Sequence, residues 1–188
     1  MNYKSRMKIT ITNTSDTSLL TAGYSNVVQN LLQIEDLKSM PVYVAAGYVE
    51  RSDFEGRKMV DSLKNYGYKE VHLLQEKEFF DGSSGPEKVD IVIIGCEAID
   101  IYGDVAYSHQ NGLEIVKTIK ARYPNAQRCF AGESYKVHDL SRDREQFKGD
   151  EVSLISSEFI NYIITDCGVH TVESLGPEEN RESLECCR

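Results

Sequence analysis

The sequence has no apolar run approaching the ~18–20 residues that a membrane-spanning helix requires, so no membrane partner is expected. Its first residues, "MNYKSRMKITITN", hold no apolar core of the secretory type, and a cytoplasmic protein is expected. Positive charge is also short. Lys and Arg number 21 against 30 Asp and Glu, a formal net charge of -9. Such a chain repels phosphate backbones, so no direct nucleic-acid partner is expected.

The five cysteines (Cys96, Cys129, Cys167, Cys186, Cys187) contain no C-x-x-C pair. The four histidines (His72, His109, His138, His170) show no H-E-x-x-H spacing. Neither a metal site nor a disulfide framework is expected. Cys96, Cys129 and Cys167 lie in or beside apolar runs and read as small buried thiols. The fingerprints G-x-G-x-x-G and G-x-x-x-x-G-K-[ST] are missing, which counts against a dehydrogenase or an NTPase; no cofactor is expected. The G-x-S-x-G nucleophile elbow is missing too.

What is present is a globular composition, 40% hydrophobic and 27% charged over 188 residues. Strand and helix patterns alternate along it. "MKITITN" (Met7–Asn13) alternates like a strand. "SNVVQNLLQIEDL" has helical spacing at Val27, Val28, Leu31 and Leu32, with Ser25 as N-cap. "PVYVAAG" reads as a strand. "SDFEGRKMVDSLKNYGY" reads as a helix with Phe54, Met59, Val60 and Leu63 on its apolar face and Gly67 ending it. "EVHLLQ" is the next strand, and Lys77–Lys88 a Gly/Ser/Pro loop. "VDIVIIG" is nearly all apolar, as in a parallel strand covered on both faces. "GLEIVKTIKARYP" is a helix, "QRCFAG" a strand, Val137–Glu151 a charged surface loop, and Ile160 to Thr165 the last strand. The acidic tail, residues 173–188, lacks an apolar face and is expected to be disordered. The order predicts one α/β domain over residues 1–172, doubly wound around a mostly parallel sheet.

Ligands of such sheets bind beyond the carboxyl ends of the strands. The candidate segments are Thr21–Ser25, Ala45–Arg57, Gly95–Asp100, Ala131–Lys136 and Thr165–His170. Arg51 and Lys136 offer cations for a phosphate, against the alternative of surface ion pairs. Glu97, two residues past its strand and expected to be partly buried, reads as a base or as a cap for backbone N–H groups.

Five segments together resemble one family. They are "LLTAGYSNVVQNLL", "VYVAAGYVERSDFEGRKMVDSL", "VDIVIIGCEAIDIYGDV", "FAGESYKV" and "SSEFINYIITDCGVHT". The family comprises the alpha, beta and delta regulatory subunits of translation initiation factor 2B and their relatives, methylthioribose-1-phosphate isomerase and ribose-1,5-bisphosphate isomerase. The resemblance implies a three-layer Rossmann-like fold, here without the N-terminal helical domain that usually precedes it. It implies a homodimer or association with related subunits, and a sugar phosphate or nucleotide as ligand. Mapped onto this sequence, the ligand-binding residues are Tyr24, Ser25, Arg51, Gly95, Glu97 and Lys136.

The departures separate the two branches. Where the isomerases carry a catalytic cysteine, this sequence has Tyr24 and Ser25. Where they carry a catalytic aspartate, it has Glu97, as the factor subunits do. Neither Tyr nor Ser supplies thiolate chemistry, and one added methylene misplaces a proton transfer. A segment that helps hold substrate phosphate is replaced by "YSHQN" (Tyr107–Asn111). The expectation is a non-catalytic protein that oligomerises, binds partners and senses a phosphorylated metabolite. The alternative is a divergent aldose–ketose isomerase with Glu97 as base. On this reading Asp100 and Asp104 are rim residues.

Overall fold

The computed structural model describes residues 16–46, 52–108, 111–140 and 152–175. The expected strand Met7–Asn13, Arg51 and the tail cysteines lie outside the described residues, as does most of the charged segment before Val152.

The chain runs β1 (Leu19–Ala22), α1 (Asn26–Leu31), β2 (Val42–Ala45), α2 (Ser52–Asn65), β3 (Val71–Leu74) and α3 (Glu76–Asp81). It continues through β4 (Ile91–Gly95), β5 (Ala98–Asp100), β6 (Val105–Tyr107), α4 (Gly112–Arg122) and β7 (Gln127–Ala131). It ends with β8 (Val137–His138), β9 (Ser153–Ile155), β10 (Tyr162–Thr165) and β11 (Gly168–Thr171).

Seven strands form one sheet in the order β11-β10-β7-β4-β1-β2-β3. All neighbours are parallel except β10 and β11. "VDIVIIG" supplies β4, the middle strand, and every residue of β4 is buried. Its side chains alternate between two apolar clusters, as a strand covered on both faces requires. Ile91 and Ile93 join Val27, Val28 and Leu31 of α1 and Met59, Val60 and Leu63 of α2. Val92 and Ile94 join Phe79 of α3 and Ile115, Val116 and Ile119 of α4. The result is the three-layer Rossmann-like arrangement predicted above.

Several local expectations need correction. Phe54 is 71% exposed and does not join the buried face of α2. The Lys77–Lys88 segment is not all loop, because Glu76–Asp81 is helical and buries Phe79 completely. Arg122 then pins this helix by donating to the carbonyls of Phe79 (2.7 Å) and Ser84 (2.9 Å). Among the described residues the last strand is β11, not the segment ending at Thr165. Cys96 and Cys129 are buried free thiols, but Cys167 is only half-buried.

A second sheet, β8-β5-β6-β9, was not expected from the sequence. It rises from the carboxyl end of β4 and holds Ala98 and Ala106 against Leu140. Asp100, expected at the rim, is buried within it and accepts from the N–H groups of Leu140 (2.8 Å) and Tyr102 (3.2 Å).

Candidate functional site

The sheet order reverses between β1 and β4. From β1 the chain moves outward through β2 and β3, then crosses back to β4 and continues through β7 and β10. The loops leaving β1 and β4 therefore part and leave a crevice at their carboxyl ends. A cavity of about 440 Å³ lies there. Its walls come from Ala22–Val27 after β1, Gly95–Glu97 after β4, Glu133, Tyr135 and Lys136 after β7, Glu55 of α2, and Tyr107 and Ser108.

Each wall is tied to a neighbouring strand. The Gly23 N–H donates to the Ala45 carbonyl at 3.1 Å, and Gly23 turns the chain with φ 62°. The Cys96 N–H donates to the Ala131 carbonyl at 3.0 Å, and the Glu97 N–H to the Ala106 carbonyl at 2.8 Å. Ser25 caps α1 with extended backbone, its hydroxyl accepting from the Val28 N–H at 3.4 Å. The same serine lies against Gly95, where an added Cβ would stand 2.5 Å from the Ser25 Cβ. Glycine at 95 thus serves close approach rather than unusual backbone torsion.

Lys136 holds three acceptors. Its ammonium donates to the Cys96 carbonyl at 3.1 Å and sits 3.2 Å from Glu133 and 4.0 Å from Glu97. Burial opposes its charge, but the bond to Glu133 and the fields of Glu133, Glu97 and Cys96 outweigh it, so the Lys136 pKa stands above the usual lysine value. Glu97 is exposed at the cavity mouth, its side chain 53% accessible, and is not the partly buried carboxylate expected from its strand-end position. Cys96 is a buried thiol bonded to the Ala131 carbonyl. Burial pushes its pKa up to about 12, so it carries no thiolate at neutral pH. The Tyr24 hydroxyl donates to Gln29 at 3.1 Å, and the Lys58 ammonium lies 3.8 Å from the centre of the Tyr24 ring.

Five of the six residues proposed from the sequence, Tyr24, Ser25, Gly95, Glu97 and Lys136, meet around this one cavity. The sixth, Arg51, lies outside the described residues. Glu55 and Tyr107 also line the cavity; they fall within the candidate segment Ala45–Arg57 and the replaced segment Tyr107–Asn111, but the sequence singles out neither as a site residue. Glu55 sits one turn into a helix whose apolar spacing drew attention elsewhere. Tyr107 reaches the cavity only through the small second sheet. Among the described residues, no group of three or more His, Cys, Asp or Glu is placed to hold a metal. No described helix is long and apolar enough to cross a membrane.

The strand order and the position of the cavity define a Rossmann-like α/β domain with its pocket at the topological switch point. Solved structures that share this fold include these three. The beta subunit of eIF2B from Chaetomium thermophilum matches with a TM-score of 0.64 and 15% identity, over 88% of this chain and 50% of its own. The tetrameric eIF2B-beta2-delta2 complex from C. thermophilum matches with a TM-score of 0.63 and 15% identity, over 92% and 57%. The 5-methylthioribose 1-phosphate isomerase from Pyrococcus horikoshii OT3 gives 0.63 and 13%, over 92% and 55%. The chain therefore spans little more than half the length of these structures. No family model and no curated protein matches the sequence. The fold shared with factor 2B subunits and an isomerase is the fold the sequence resemblance implied.

Proposed function

We propose that this chain is a non-catalytic domain of the factor 2B regulatory-subunit type. It associates with a second copy or with related subunits, and it takes a phosphorylated small molecule in the switch-point cavity. The carrying observation is the state of the groups that would have to do chemistry. In the segment where the isomerases carry their cysteine this chain has Tyr24 and Ser25; the Ser25 hydroxyl is committed to capping α1 and wedged against Gly95, and the Tyr24 hydroxyl donates to Gln29. The cavity's one thiol, Cys96, is buried and protonated. A cavity of about 440 Å³ falls within the range of small-molecule sites. Lys136 provides a cation in its wall.

The isomerase alternative rests on Glu97 and Lys136, a carboxylate and an ammonium 4.0 Å apart at the mouth. One experiment separates the two readings. The purified protein is incubated with methylthioribose 1-phosphate or ribose 1,5-bisphosphate, and ketose is sought by NMR while ligand-induced thermal shifts are recorded. A thermal shift without ketose is expected. Turnover that disappears in Glu97→Gln would establish the isomerase instead. Sedimentation velocity tests association, and a dimer or larger species is expected at micromolar concentration. A monomer at every concentration would remove self-association from the proposal.

A further inference from the structure

The segment that brings Lys136 and Tyr135 to the cavity is a single 3-10 turn, Ser134–Lys136. Its local bonds are that of the Lys136 N–H to the Glu133 carbonyl at 2.9 Å and the ion pair of Lys136 with Glu133. The preceding residue, Glu133, gives no side-chain cap, and none of the turn's residues is buried. The turn's leading N–H, that of Ser134, instead donates to the Asp166 carboxylate at 2.6 Å. Asp166 is 32 residues away in sequence. It lies in the two-residue connection between Thr165 of β10 and Gly168 of β11.

The sheet delivers it there. β10 pairs with β7 through Ile164 and Ala131, and the Gly132 N–H donates to the Ile164 carbonyl at 3.0 Å. The tip of the β10–β11 hairpin thus stands beside the chain leaving β7. A carboxylate accepting from a backbone N–H makes a stronger bond than a neutral acceptor does. We infer that Asp166 is a positioning residue of the cavity, its carboxylate anchoring the turn that sets the Lys136 ammonium among the Cys96 carbonyl, Glu133 and Glu97. This deepens the proposed function, since it concerns the cation of that same cavity. It also gives the connection between β10 and β11 a task, because that connection carries Asp166.

The test reads Lys136 directly and needs no ligand. Amine acylation at neutral pH is followed residue by residue by mass spectrometry, with exposed Lys64 as internal reference. In the wild type Lys136 should react slowly, being ion-paired and 19% exposed. In Asp166→Ala its rate relative to Lys64 should rise about tenfold, the low-end equivalent of one hydrogen bond to a charged group. In Asp166→Asn, whose amide oxygen still accepts from the Ser134 N–H but carries no charge, it should rise only about threefold. Ser134→Pro removes the donor while leaving the turn allowed. Proline suits the first helical position, and Glu133, with φ -71° and ψ 148°, already has the backbone that precedes proline. This variant should match Asp166→Ala, and it keeps the inference testable if Asp166→Ala does not fold. Unchanged Lys136 rates in both variants overturn the inference, and so does an equal rise in Asp166→Asn. Failure of sugar phosphates to bind would count against the proposed function alone, because these rates are read in its absence.

Discussion

Replacing Gly95 with alanine would set the new methyl group and the half-buried Ser25 side chain in the same place. The new Cβ would stand 2.5 Å from the Ser25 Cβ, with the Ser25 hydroxyl also in its path and the Val28 Cγ2 at 3.8 Å. Gly95 ends the middle strand and pairs in register with Ala131, so its backbone has no room to retreat. The serine must yield instead. Overpacking of this kind costs about 1–3 kcal/mol. Displacing the Ser25 hydroxyl also removes the α1 cap, worth about 0.5–1 kcal/mol for a bond as long as 3.4 Å. The sum is about 1.5–4 kcal/mol, or roughly 3–16 °C in Tm for a domain of this size. Urea denaturation followed by circular dichroism would measure it. The reasoning also requires rescue. Ser25→Gly in the Gly95→Ala background removes both clashing atoms, and glycine at an N-cap costs only about a few tenths of a kcal/mol. The double variant should regain most of the loss. A Gly95→Ala protein within about 0.5 kcal/mol of wild type would refute the argument, as would a double variant no more stable than the single one.

Three further outcomes are expected. Burial, with Asp104 and Asp139 nearby, holds the Asp100 carboxyl above its ordinary value despite the bonds from Leu140 and Tyr102. Its favourable contribution is complete below the unfolded pKa and is lost as pH rises through the folded one. Asp100→Asn should therefore gain stability relative to wild type as pH rises above the ordinary aspartate value of about 3.9, read as the difference in urea midpoints; a constant difference would contradict this. Burial likewise pushes the Cys129 thiol up to about 12, as it does Cys96, so neither should take up iodoacetamide at about pH 8 until denaturant is added. Peptide mapping of the native protein checks it. Phe54→Ser should change stability by less than about 0.5 kcal/mol, whereas Met59→Ala, on the same helix but fully buried, should cost about 2–5 kcal/mol; comparable losses at both sites would place Phe54 in the core.

The parts of the fold legible in the sequence are those where local pattern and tertiary burial agree. "VDIVIIG" announced a strand covered on both faces because nothing polar interrupts it, and Ser25 announced a helix start because its hydroxyl fits the cap. β1 was harder. "LLTA" is four residues long and wholly buried, so it shows no alternation. α3 was hidden by the Gly, Ser and Pro residues that follow it, although Phe79 and Phe80 lie within its single turn and a half. The second sheet could not be read locally at all. Its strands have two or three residues, and they hold through pairings such as Ile99 with Val137 that no window of sequence contains. The site divided in the same way. Glycine-ended strands pointed to its walls, and the family resemblance selected Tyr24, Ser25, Gly95, Glu97 and Lys136. The depth of Asp100 and the exposure of Glu97 depend on that second sheet, and both departed from expectation. Asp166 lay inside the strand-end segment "TDCGVH", but its partner Ser134 emerges only once β10 is laid beside β7.

The cavity joins segments near residues 22–27, 95–97 and 133–136, which are brought together only when β1, β4 and β7 are paired. The shortest contiguous fragment that contains them all runs from Ala22 to Lys136, about three fifths of the chain. A ligand held there binds the assembled sheet and not the open chain, so every increment of its binding free energy is transmitted to folding. Occupancy of this cavity is therefore a reporter of completed assembly, and a molecule that fills it acts as a pharmacological chaperone for the whole domain.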